Sequence, residues 1–187
     1  RLGPLVLTFT LSSPMKSVVV LGGYGNFGRR IAEALAREPD TRVFVSGRDL
    51  KQATAVAQEI GGAAAPLRLD AQAGDFTAEL RKAGATLVVH TAGPFQGQNY
   101  SIPQACVAAG AHYIDLADGR GFVCGITALD EEAKLNGTLV VSGASSVPAL
   151  SSAVVDALGA QFASIESIDH GISSGARPPG KATMDGV

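Results

Sequence analysis

The chain has 187 residues, 46% of them hydrophobic and 17% charged, with 23 glycines, 9 prolines, 2 cysteines and no tryptophan; at roughly 100–200 residues per domain this is one domain, with room for the start of a second. The 15 Lys and Arg against 17 Asp and Glu leave a net charge of −2, so the basic footprint of a nucleic-acid binder or an anionic-membrane binder is missing. Cys106 and Cys124 are too few for a disulfide framework and have no histidine at zinc-site spacing, so no metal is expected.

A mean hydropathy of +0.21 with low charge indicates a packed core. No run reaches the ~18 apolar residues of a membrane span. Residues 1–14 contain a short apolar run but no A-x-A-like cleavage site, and the first methionine is Met15; they read as an upstream or expression-derived extension of a cytoplasmic protein. Short β-branched runs at 17–21, 42–46, 65–69, 86–90, 112–116 and 138–142 predict six strands buried on both faces. Between them Phe27, Ile31 and Leu35 recur at helical spacing. Leu50, Ala53, Ala57 and Ile60 form a second stripe, which Gly61-Gly62 ends. Ser101-Ile102-Pro103-Gln104 carries a capping-box pattern and opens a helix that stops at Gly110. After the sixth strand a helix is expected over 148–162, with Leu150, Val154 and Leu158 on one stripe, then a strand over 165–172 and a linker over 175–187. Strict alternation means parallel βαβ units and an α/β doubly wound sheet; the right-handed crossover rule, with the motifs below, favours the order 3-2-1-4-5-6. The expected division is one α/β domain over 15–162 and a strand and linker over 163–187.

The first strand runs into Gly22-Gly23-Tyr24-Gly25-Asn26-Phe27-Gly28 and then into a helix, the context that turns a bare G-x-G-x-x-G into a dinucleotide-binding fingerprint. Gly23 allows the tight turn, Gly25 the approach of a pyrophosphate, and Gly28 close packing of helix on strand. The second strand ends Ser46-Gly47-Arg48. Gly47 lies 24 residues after Gly23, near the ~20-residue interval at which an NAD enzyme places a ribose-binding carboxylate. Glycine stands there and a guanidinium follows, so NADP is expected ahead of NAD, with Ser46 as a further hydroxyl donor. The competing reading makes Arg48 a solvated helix-start residue and Asp49 the ribose acid. Asp70, after the third strand, can accept from the adenine amino group or simply end a strand. Thr91-Ala92-Gly93-Pro94-Phe95 follows the fourth strand, where the backbone passes the nicotinamide ribose. Residues 142–146 end the sixth strand and border the nicotinamide, unless Ser146 is only an N-cap. Asp115 is either a substrate-facing carboxylate or one that bonds local backbone; His90, His112 and His170 read as structural, and Cys106 as a small core residue.

With these motifs in place the chain resembles the saccharopine dehydrogenase-like family between about Met15 and Thr183. The resemblance rests on Val-Leu-Gly-Gly-Tyr-Gly-Asn-Phe-Gly (20–28), Ser-Gly-Arg (46–48), Ala-Gly-Pro-Phe (92–95), His-Tyr-Ile-Asp-Leu (112–116) and Ser-Val-Pro (146–148). It implies an NADP-binding Rossmann domain followed by an α/β domain that holds a small-molecule substrate and supports homodimers. An NADP(H)-dependent oxidoreductase is therefore expected, the isolated chain being inactive. The alternative is a non-catalytic redox sensor. A short-chain dehydrogenase is disfavoured, because Tyr24, Tyr100 and Tyr113 are followed four residues later by Gly28, Gln104 and Ala117 in place of lysine.

Overall fold

The computed structural model describes residues 15–169 and residue 171; the extension expected over 1–14 and the linker over 175–187 lie outside the described residues. In chain order the elements are β1 (Lys16–Leu21), α1 (Asn26–Leu35), β2 (Thr41–Gly47), α2 (Leu50–Ile60), β3 (Ala64–Arg68), α3 (Phe76–Lys82), β4 (Leu87–His90) and α4 (Ser101–Ala109). There follow β5 (His112–Asp115), α5 (Arg120–Gly125), a 3₁₀ turn (Ile126–Leu129), α6 (Asp130–Leu135), β6 (Val140–Val141), an irregular turn (Ser146–Leu150) and α7 (Ser151–Gly159). The six strands form one parallel sheet in the order β3-β2-β1-β4-β5-β6, the expected order.

Alternate residues of each central strand feed two cores. Val18, Val20, Val43, Val45 and Val89 pack on one face with Ala32 of α1 and Ala53 and Ala57 of α2. Val19, Leu21, Phe44, Val88 and Tyr113 pack on the other with Phe76 and Leu80 of α3 and Cys106 of α4. Each buried valine contributes roughly 1.5–3 kcal/mol relative to exposure, and the run Val18–Leu21 is buried on both faces, so β1 is the fixed centre of the sheet. Burial also pushes the Cys106 thiol up to about 12, which fits an inert core residue.

Several elements depart from the expected pattern. The α1 stripe is rotated: Gly28 and Ala32 are its buried positions, whereas Phe27 is 56% exposed, because the close approach of Gly28 turns that face inward. Ser101 is not an N-cap. Tyr100 holds that position without a side-chain capping bond, and Asn99 Oδ1 accepts from the Ser101 N–H instead; the helix stops at Gly110 as expected, in an αL C-cap. The sixth strand is only two residues long. On one side Thr138 is tied back to the Ala133 carbonyl, and on the other Ser142 turns inward to Asp115. No strand forms over 163–169, the described part of the one expected at 165–172. The helix expected over 148–162 is an irregular turn followed by α7, and Leu150, Val154 and Leu158 are exposed. No described helix is long and apolar enough to cross a membrane.

Candidate dinucleotide site

Neighbouring strands β1 and β4 carry their following helices on opposite faces of the sheet, so their carboxyl ends leave a crevice at the point where the strand order reverses. A cleft of about 1250 Å³ opens there, roomier than the 300–1,000 Å³ usual for small-molecule pockets. Twelve of the sixteen residues singled out from sequence line it. They are Gly22, Tyr24, Gly25, Asn26 and Phe27 from the β1–α1 turn, Gly47 and Arg48 from the end of β2, Asp70 after β3, and Thr91, Ala92, Gly93 and Pro94 after β4.

The other four shape the cleft from behind. A Cβ at Gly28 would stand 2.2 Å from the Gly22 carbonyl oxygen and 2.7 Å from Thr91 Oγ1, so glycine there sets the separation between helix and strand. Gly23 donates its N–H to the Ser46 carbonyl and so pins the turn to β2. Ser46 corrects the expectation of a phosphate donor: it is fully buried, and its hydroxyl donates to the Val20 carbonyl at 3.0 Å. Phe95 is likewise core, buried against His90 and Phe122 at ring separations of 4.9 and 5.6 Å, with no contact to the cleft.

The N-terminus of α1 opens onto this space. Its N-cap, Gly25, has no side chain to cap with, and no acidic residue lies in the first turn. The first helical N–H groups have no partner within the helix, and they carry the positive end of the helix dipole, about half an elementary charge. That cradle fits a diphosphate. At Gly25 an added Cβ would meet only the Gly22 carbonyl oxygen, at 3.2 Å, so its chief neighbour is the open cleft.

At the end of β2, Asp49 is the N-cap of α2, accepting from the Lys51 and Gln52 N–H groups and from Gln52 Nε2. The Gln52 bonds pull its carboxyl below the usual carboxylate value. Those bonds use three of the roughly four acceptor positions of the carboxylate and fix its orientation at the start of α2. Arg48 makes no ion pair among the described residues, and its side chain borders both the cleft and an adjoining cavity of about 600 Å³, lined also by Lys51. The space beside Gly47 is filled by the Tyr24 ring, which lies over it. Asp70 Oδ1 accepts from the Gln72 N–H and its residue remains exposed at the cleft.

On the other side of the crevice Thr91 Oγ1 donates to the carbonyls of Leu21 and Gly22, tying the end of β4 to the glycine turn. The loop after it, with a cis Gly93–Pro94 peptide, is held by Gln98 Nε2, which donates to the Ala92 and Pro94 carbonyls. Behind this loop lies a buried polar group. Asp115, fully buried, accepts through Oδ1 from the Ala117 and Gly143 N–H groups and the Ser142 hydroxyl. It is therefore the local backbone-bonding carboxylate of the two readings, and the 142–146 segment it holds does not border the cleft. His90 Nδ1 pairs with the Tyr113 hydroxyl at 2.9 Å, and His90 Nε2 and Asp115 Oδ2 have no hydrogen-bond partner among the described residues. Burial drives the His90 imidazole down to about 4 and the Tyr113 phenol upward. His90 and Gln98 both line the cleft and were not singled out as cofactor residues; the HTAGP run in the sequence marks the first, while nothing local marks the second.

The family model described as the saccharopine dehydrogenase NADP binding domain matches residues 18–141. A protein named as a trans-acting enoyl reductase of Mycobacterium tuberculosis is 33% identical over 102 residues, which is 53% of this chain and 24% of that protein. The chain thus spans about a quarter of the length of the curated relatives it matches. Among solved structures, saccharopine dehydrogenase (L-Glu forming) from Saccharomyces cerevisiae aligns with a TM-score of 0.61 at 19% identity, covering 78% of this chain and 32% of that one. A protein described as a dehydrogenase from Burkholderia cenocepacia, solved with bound NADP, aligns with a TM-score of 0.52 at 18% identity, covering 73% and 70%. At these identities the structural likeness is one of fold.

Proposed function

The chain belongs to the saccharopine dehydrogenase NADP-binding-domain family, and from that premise we propose that it is the NADP(H)-holding domain of a reductase. The observation that carries this reading is the uncapped α1 N-terminus opening into the cleft at the β1/β4 switch point. When bound, the nicotinamide would supply hydride transfer. The chain's own part is to bind and orient. The N–H groups of Asn26 and Phe27 would hold the diphosphate, Arg48 would meet a 2′-phosphate, and Ala92 and Gly93 would leave the nicotinamide ribose room beside the backbone. Thr91 and Gln98 hold those backbones in place. The named activity of the mycobacterial relatives makes a carbon–carbon double bond conjugated to a carbonyl the first substrate class to test. In this reading a further domain of the whole cytosolic protein holds that substrate, excludes water from it and supports a dimer, and the chain alone turns over nothing.

Gly25→Val tests the placement. The side chain would project into the diphosphate space with little effect on the fold. The expected result is a native far-UV CD spectrum and a melting temperature lowered by only a few degrees, with NADPH binding lost. Retained NADPH affinity in a folded variant would remove the diphosphate from this turn.

A further inference from the structure

Gly47 ends β2 where a dinucleotide enzyme of the other preference would carry a carboxylate, and in this chain the space above it is taken. A Cβ at position 47 would stand 2.5 Å from Tyr24 Cε1 and 2.7 Å from both Cζ and the hydroxyl oxygen. The ring is positioned at both ends. Its hydroxyl accepts from the Asp49 N–H at 3.3 Å, and the residue packs against the core formed by Val18, Val20, Val43 and Val45. Tyr24 also lines both the large cleft and the smaller cavity beside Arg48, so it stands between the adenosine space and the β2–α2 turn.

We infer that Tyr24 and Gly47 act as one specificity element, in which the ring occupies the space a carboxylate would need to reach the adenosine ribose. The inference rests on the NADP(H) reading above and deepens it. A side chain at position 47 cannot share that space with the ring, since its Cβ would lie 2.5 Å from Tyr24 Cε1. The ring would have to give up its bond to Asp49 and swing into the cleft, toward the adenosine space. That displacement denies NADH its gain, while the added negative charge beside Arg48 still repels a 2′-phosphate. Changing the cofactor preference therefore requires both positions, although they are 23 residues apart in the chain.

The test is a double-mutant cycle on the full chain, titrating NADPH and NADH against the unmodified protein, Gly47→Asp, Tyr24→Ala and the double variant. Gly47→Asp alone is expected to weaken NADPH about 10-fold or more without improving NADH, and the double variant to bind NADH about 10-fold more tightly than Gly47→Asp does. If Gly47→Asp improves NADH as much as the double variant, the pair is not coupled and the inference falls. A readout without cofactor separates this from failure of the functional reading. Gly47→Ala should lower the melting temperature, and Tyr24→Ala should relieve most of that loss. An equal loss with and without Tyr24 would overturn the contact itself. Equal affinity of the unmodified protein for both cofactors would instead overturn the NADP(H) reading, leaving the melting cycle to decide the pair.

Discussion

The two halves of the cleft are built by different means. The β1–β3 half is shaped by backbone and glycine: Gly28 sets the helix on the strand, Gly23 pins the turn, and Gly47 makes way for the Tyr24 ring. The β4–β6 half is shaped by buried polar side chains, with Asp115 collecting three donors and His90 paired to Tyr113 behind the loop. The first half should therefore fail by steric intrusion and be indifferent to mild acid. The second should fail by charge.

The largest effect is expected at Gly28. Replacement by Val places a Cβ 2.2 Å from a backbone oxygen that cannot turn aside, and a loss of about 4 kcal/mol or more is expected. Urea denaturation compared with Gly25→Val measures the contrast; similar stabilities would abolish the distinction between a packing glycine and a cradle glycine.

His90 should give the other half its pH response. Its imidazole titrates near 4 when folded, from an ordinary value of 6.5, because burial disfavours the cation. The unfolded chain then binds the proton first. The stability is fully present above pH 6.5 and is lost as pH falls from 6.5 toward 4, by about 3 kcal/mol over that window. In His90→Gln the denaturation midpoint should fall less over this window, and an unchanged slope would assign the acid sensitivity elsewhere.

Thr91 joins the halves, and Thr91→Val removes two hydroxyl bonds at nearly constant volume. A cost of about 1 kcal/mol is expected, together with weaker NADPH binding as the turn loosens. A stability loss with unchanged affinity would show that the turn keeps its shape without that tie.

The same contrast explains what was legible in the sequence. The fingerprint 22–28 is consecutive, so spacing alone locates the turn, and the alternation of strands and helices taken with the crossover rule and that fingerprint leads to the sheet order. Side-chain fates settled across the fold were not legible. Ser46 looks like a free hydroxyl until β1 offers it the Val20 carbonyl. Gly47 looks like vacant space until Tyr24 folds over it, and Phe95 looks like cleft lining until Phe122 arrives from α5. The helices α3, α5 and α6 are only six or seven residues long, too short for an apolar stripe to stand out.

The central claim is that the β2 end of the cleft reads a 2′-phosphate, and titrating NADPH and NADH against the unmodified chain and Arg48→Ala tests it most directly. A charge-assisted hydrogen bond contributes ~1.5–3 kcal/mol, so a preference for NADPH of roughly 10- to 150-fold is predicted. Arg48→Ala should erase most of it by weakening NADPH while leaving NADH nearly unchanged. Equal affinities in the unmodified chain, or an equal weakening of both cofactors in Arg48→Ala, would contradict the account.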